Sequence, residues 1–244
     1  MSLERHAGPS LLWLTIVYVA LMIAGGSKLS TAFHVPHDSA KAVAFVADNG
    51  WAIKWGSFFE LGSAIPLGIF MAVSISRLRF LGVRAAGEQI ASLGGIGAPM
   101  MLILSALATW SLTRPGIAEA PGAVGALQAL GFDGGGPGFA VFLGLFVAGV
   151  SITGGLYKLI PRWLMWLGLV VATSGELSSL TLLNFEAGYF IPVARFVSIV
   201  WMIGISLKLP VSVKHERNLM EPNAVLRPQN NDAGHDSEPT EIPL

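Results

Sequence analysis

Three ionisable side chains stand out because of where they fall. Glu60, Glu176 and Arg195 each sit inside a long apolar stretch. A charge in hydrocarbon costs about 2.5 to 3.5 kcal/mol near a helix centre on insertion scales, so such residues face the protein interior and mark ion, proton or ligand sites by default. Hydroxyl residues accompany them at helical spacing. Lys54, Ser57, Glu60 and Ser63 recur every three residues, as do Thr173, Glu176 and Ser179, and Arg195 is followed by Ser198. Residues so spaced are neighbours on a helix surface. A guanidinium in such a setting binds an anionic group or holds a carboxylate ionised, while a carboxyl exchanges a proton.

Depth sets which of these residues meet. Glu176 and Arg195 flank a tight connection around residues 184–188. They lie ten and nine residues from its middle, which places both roughly 10 to 12 Å below the outer end of the hairpin by helical rise, and the two are expected to pair. Glu60 lies about 13 Å along its helix from Trp51, a comparable depth. The expected site is therefore one polar pocket, built from Glu60, Glu176, Arg195, Ser57, Ser63 and Ser179 and open to a small molecule or ion. Lys54 is read as a residue that snorkels to the interface. The plainer reading of the same charges is a closed network that only specifies helix packing.

Other chemistry has little support. His34 and His37, with Asp38 beside them, are the best metal candidates, but Pro36 opposes a helical arrangement and no further ligand is evident, so no metal is assigned. No histidine falls inside an apolar stretch, which speaks against paired haem ligation. Gly94, Gly95 and Gly97 do not complete a dinucleotide fingerprint, and close helix packing accounts for them better. Nucleophile-elbow, phosphate-loop and zinc-protease signatures are missing from the sequence, so no catalytic residue and no cofactor are assigned.

The elements that must carry these residues follow from composition. Of 244 residues, 53% are hydrophobic and only 12% charged, against roughly 25% charged in an ordinary soluble domain. The formal net charge is zero, which suggests neither nucleic acid nor an acidic partner, and the absence of cysteine excludes disulfides and thiolate metal sites. Six stretches reach the length of about 20 residues that a bilayer demands, or come near it. They run over residues 10–26, 52–76, 91–112, 139–159, 163–183 and 190–207, with Pro66 and Pro99 inside the second and third. The expected fold is all-α, a polytopic transmembrane bundle of about six spans occupying residues 1–210, with the lipid bilayer as its surroundings. Protein partners are not specified by the sequence.

Basic residues in the connections favour the cytoplasm. With the N-terminus inside, ten of the fifteen Lys and Arg fall on the inner side and five on the outer, which predicts a multi-pass plasma-membrane protein with both termini cytoplasmic. Trp13, Trp51, Trp55, Trp110, Trp163 and Tyr189 are the expected interfacial anchors. Arg5 followed by an apolar run and Gly25, Gly26 and Ser27 also resembles a signal peptide, though without a clear A-x-A pattern, and the span is expected to be retained. Two outer segments are expected to form short helices, one over residues 40–47 lying on the membrane. The other, over residues 123–130, is expected to break at Gly134, Gly135 and Gly136. From about Val211 the chain turns polar and proline-containing, so residues 211–244 are expected to be a disordered cytoplasmic tail.

Along Leu159-Ile160-Pro161-Arg162-Trp163-Leu164-Met165-Trp166-Leu167-Gly168-Leu169 the chain resembles uncharacterised bacterial six-span membrane proteins classed as domains of unknown function. The likeness returns at Ile191-Pro192-Val193-Ala194-Arg195-Phe196 and Val200-Trp201-Met202-Ile203. The resemblance covers mainly the second half. It implies a helical bundle in a bacterial plasma membrane and makes Arg195 part of the pattern, but it carries no catalytic assignment. The leading functional expectation is a small transporter or ligand-binding membrane protein with an outward-facing pocket. A non-catalytic accessory or regulatory protein comes second and a membrane enzyme third.

Overall fold

A computed structural model describes residues 4–29 and 39–213. The expected metal candidates His34, His37 and Asp38 lie outside the described residues, as does the expected tail beyond residue 213. The described chain is almost entirely helical: α1 (Leu11–Leu29), α2 (Ser39–Phe80), α3 (Ala86–Ser111), α4 (Pro121–Asp133), α5 (Phe139–Leu156), α6 (Arg162–Leu177) and α7 (Phe190–Lys208). Five helical segments are long and apolar enough to cross a membrane, and Leu11–Gly26 is a shorter apolar helix. Two short strands, β1 (Glu4–Arg5) and β2 (Ser212–Val213), pair antiparallel and bring the two ends of the described chain together.

The spans close into a ring. α1 packs on α2 and α7, α3 packs on α2 and α5, and α6 packs on α5 and α7. At the centre Trp201 is fully buried, its indole Nε1 donating to Ser151 Oγ at 2.9 Å, with Phe146 edge-on to it and Phe70 edge-on to Phe146. Outside, large apolar residues such as Ile65, Ile96, Trp166 and Val200 are exposed, as a lipid-facing surface requires. The six expected interfacial aromatics are all exposed too.

Glycines set the closest helix contacts. A Cβ at Gly94 on α3 would strike the backbone N of Phe146 and the carbonyl oxygen of Phe142 on α5, and one at Gly149 on α5 would strike the Gly87 carbonyl. Backbones approach this closely only where side chains are absent, and dispersion between the helices then replaces the hydrophobic drive that lipid does not supply. At the α2–α3 turn Gly82 takes a left-handed φ of 82°, a conformation disfavoured for residues with a Cβ. Arg79 and Glu88 form an ion pair across the turn, but Arg79 is 57% exposed, so the pair adds little stability. Arg77 lies inside α2 and is buried.

Both expected outer helices need correction. Residues 40–47 do not form a separate helix on the membrane surface but are the start of α2, which runs unbroken for 42 residues. Asn49 does not interrupt it because its side-chain amide donates back to the Phe45 carbonyl at 2.9 Å. Ala42, Val46 and Ile53 then continue a buried stripe that packs with Leu112 and with Val124 of α4. At 1.5 Å per residue α2 is about 63 Å long, roughly twice the hydrocarbon thickness, so part of it stands clear of the bilayer. Nor do the three glycines stop the second helix. Gly134–Gly138 forms a π-helical turn that joins α4 to α5. Pro137 accounts for the widening, since its ring crowds the preceding turn and offers no N–H. Backbone groups inside a membrane protein must still be bonded internally, which favours a deformed helix over a break.

Candidate functional site

The π turn brings together groups that are far apart in sequence. Arg195 on α7 donates through Nη2 to the Gly135 carbonyl, and its guanidinium carbon lies 5.0 Å from the centre of the Phe139 ring. From α3, Ser105 is 2.9 Å from Glu60 Oε1 and 2.8 Å from the Gly131 carbonyl. Gly135 has to be glycine here, because a Cβ would sit 2.5 Å from Ser105 Oγ and 3.2 Å from Glu60 Oε1. Glu60 and Arg195 therefore approach the same turn from α2 and α7.

Between them lies a cavity of about 400 Å³. Tyr18, Glu60, Ser63 and Arg195 form its polar part, and Met22, Ile23, Leu102 and Phe196 are among its apolar walls. Glu60 and Arg195 form no ion pair with each other among the described residues, yet both line one cavity together with Tyr18. Ser63 Oγ donates to the Glu60 backbone carbonyl at 2.7 Å, and Ser198 Oγ donates to that of Arg195, also at 2.7 Å, so both hydroxyls are used locally. Tyr18 is 1% exposed to the outside and lines this cavity. Sequence reasoning missed it. The available signal was a tyrosine in the middle of an apolar span, since a buried phenol normally needs a polar partner.

The other expected site residues go elsewhere. Glu176 does not pair with Arg195: it is exposed, and its carboxylate lies 3.5 Å from where a Cβ on Gly144 would be. Two errors of position combine. The inward face of α6 carries Leu164, Gly168, Val171 and Gly175, so Glu176 is turned about 100° away from it. Beyond Leu177 the chain tightens into a 3-10 turn, Ser178–Leu182, which rises about 2.0 Å per residue and puts Glu176 deeper than an α-helical count suggests. Ser179 stays exposed and donates to the Glu176 carbonyl at 2.6 Å. Ser57 is buried, but it lines a separate groove between α2 and α3 together with Lys54.

Ser105 has one proton and two acceptors in reach. When Glu60 is ionised the hydroxyl donates to it. When Glu60 is protonated the carboxyl donates to Ser105, and the serine proton turns to the Gly131 carbonyl. Proton gain at Glu60 thus changes the bonding of Gly131, three residues before the turn that Arg195 holds. No family model matches the chain, and neither a curated protein nor a solved structure matches it.

Proposed function

We propose that the chain is a small transporter or ligand-binding protein of the plasma membrane, whose cavity binds a small organic anion beside an exchangeable proton. One observation carries this reading: Glu60 and Arg195 face a common cavity without closing on each other. The Arg195 guanidinium has N–H donors beyond the one bonded to Gly135, and these suit a carboxylate. The apolar walls suit a hydrocarbon or aromatic body, and Glu60 takes up or releases the proton. Glu176 and Ser179 are left out of the pocket. In this reading six spans place both termini in the cytoplasm. The pairing of β1 with β2 supports an even number of crossings, and the excess of Lys and Arg on that side supports the orientation.

A second reading draws on the Arg195 contacts with Gly135 and Phe139. There the charges hold α7 to the π turn, and the protein acts as a non-catalytic accessory subunit. Flux through proteoliposomes separates the two. With the full chain reconstituted, uptake of at least one small monocarboxylate from a panel is expected, accelerated by an inward proton gradient. Glu60→Gln should abolish the response to the gradient, and Arg195→Lys should lower uptake by roughly tenfold to a hundredfold, the value of a charged hydrogen bond. Folded protein that moves no member of the panel above empty vesicles would contradict the transport reading.

A further inference from the structure

A second concavity, of about 510 Å³, runs between α2 and α3 on the lipid-facing side of the bundle. Its residues are ordered by depth. The two helices are antiparallel neighbours, so Trp51 and Lys54 on α2 meet Trp110 on α3 at one end, while Phe58, Leu61 and Leu107 continue toward the bilayer centre. The Arg114 guanidinium carbon lies 4.9 Å from the centre of the Trp110 ring, so a second cation stands beside one of the residues that line the groove. Ser57 also lines the groove, one helical turn or about 4.5 Å deeper than Lys54. It is 2% exposed and its hydroxyl has no hydrogen-bond partner among the described residues. A buried hydroxyl without a partner is costly in an apolar setting and calls for an acceptor from outside the chain.

Two cations at the interface, an unpartnered hydroxyl one turn below, and an apolar channel beneath that form the outline of a phospholipid. We infer that the groove is a binding site for one anionic phospholipid. Its phosphate lies between Lys54 and Arg114, an ester carbonyl accepts from Ser57, and an acyl chain runs along Phe58 and Leu61. The aromatic rings at the mouth suit the headgroup level of a bilayer. The site is separate from the cavity of Glu60 and Arg195, so its fate is independent of the transport reading.

Bromine quenches tryptophan fluorescence at short range, and Trp51, Trp55 and Trp110 surround this groove. The full chain is placed in phosphatidylcholine nanodiscs containing a rising fraction of phosphatidylglycerol with dibrominated acyl chains. Saturable quenching at a low fraction is expected, with the half-point well below that for dibrominated phosphatidylcholine. Each basic residue near the surface is worth about fivefold in that preference. Lys54→Gln combined with Arg114→Gln should therefore bring the two lipids together, and because both residues are exposed the variant should fold. Leu107→Phe, at an exposed position on the groove wall, should raise the half-point for both lipids. Trp13, Trp163 and Trp166 are exposed away from the groove, so the measurement is made with all three replaced by phenylalanine, and quenching that then rises in proportion to brominated lipid whatever its headgroup would overturn the inference. So would an anionic preference that survives the double substitution, or quenching relieved by a free fatty acid but not by unlabelled phosphatidylglycerol.

Discussion

Gly94→Ala is expected to destabilise the protein by about 2 to 3 kcal/mol or more, whereas Gly125→Ala should be neutral or stabilising by up to about 1 kcal/mol. The chemical change is the same and the surroundings differ. At Gly94 the new methyl group meets backbone atoms of Phe146 and Phe142, which cannot rotate aside as a side chain would, so α3 and α5 must separate. Their separation disturbs the packing around Phe146, and through it the contact with Trp201. At Gly125 on α4 a Cβ meets nothing within 4 Å, and only the lower helix propensity of glycine is relieved. Thermal unfolding in detergent, followed by the yield of monodisperse protein, measures both. Equal effects at the two positions would mean that α3 and α5 are not in backbone contact.

Arg195→Met is expected to cost about 2 to 4 kcal/mol, the sum of a charge-assisted hydrogen bond and a ring contact. It removes the bond to the Gly135 carbonyl and the contact with Phe139. Glu176→Gln should change stability by no more than about 0.5 kcal/mol, because the carboxylate is exposed and makes no ion pair among the described residues. The two substitutions together should then add. Recovery of stability in the double variant would show that Glu176 and Arg195 are partners after all, and that the counting from the hairpin was right. Folding measurements in a denaturing detergent titration distinguish the two outcomes.

What the sequence made legible is the set of apolar stretches and the two charges that border the cavity, Glu60 and Arg195. Hydrophobic length is a near-sufficient signal for a spanning helix, and the stretch over residues 91–112 falls within a few residues of α3. Glu60 and Arg195 were found because charge in an apolar span is rare and conspicuous. Residues spaced by three, however, do not stay on one helix face. Each step falls about 60° short of a full turn, so Lys54 and Ser63 end on opposite sides of α2. That drift divides the apparent stripe, sending Lys54 and Ser57 to the α2–α3 groove and Glu60 and Ser63 to the cavity. Glu176 was lost to the change from α-helix to 3-10 turn after Leu177. The π turn escaped notice because Gly and Pro look like breakers unless the demand for internal backbone bonding is weighed against them. Tyr18 was overlooked because a tyrosine carries no formal charge.

Thiol labelling decides whether Glu60 and Arg195 border an accessible cavity or a closed interface. The chain contains no cysteine, so a single introduced thiol reports alone. Met22→Cys places it on the cavity wall at a partly exposed position, and Ala98→Cys places a control at a position that is 0% exposed in the core. The thiol at position 22 is expected to react with a small anionic methanethiosulfonate in folded protein, while that at position 98 is not. Reaction with the anionic reagent should be faster than with a cationic one of equal size, by roughly tenfold, a preference that Arg195→Met removes. A thiol at position 22 as inert as the one at position 98 would leave the charges as packing devices.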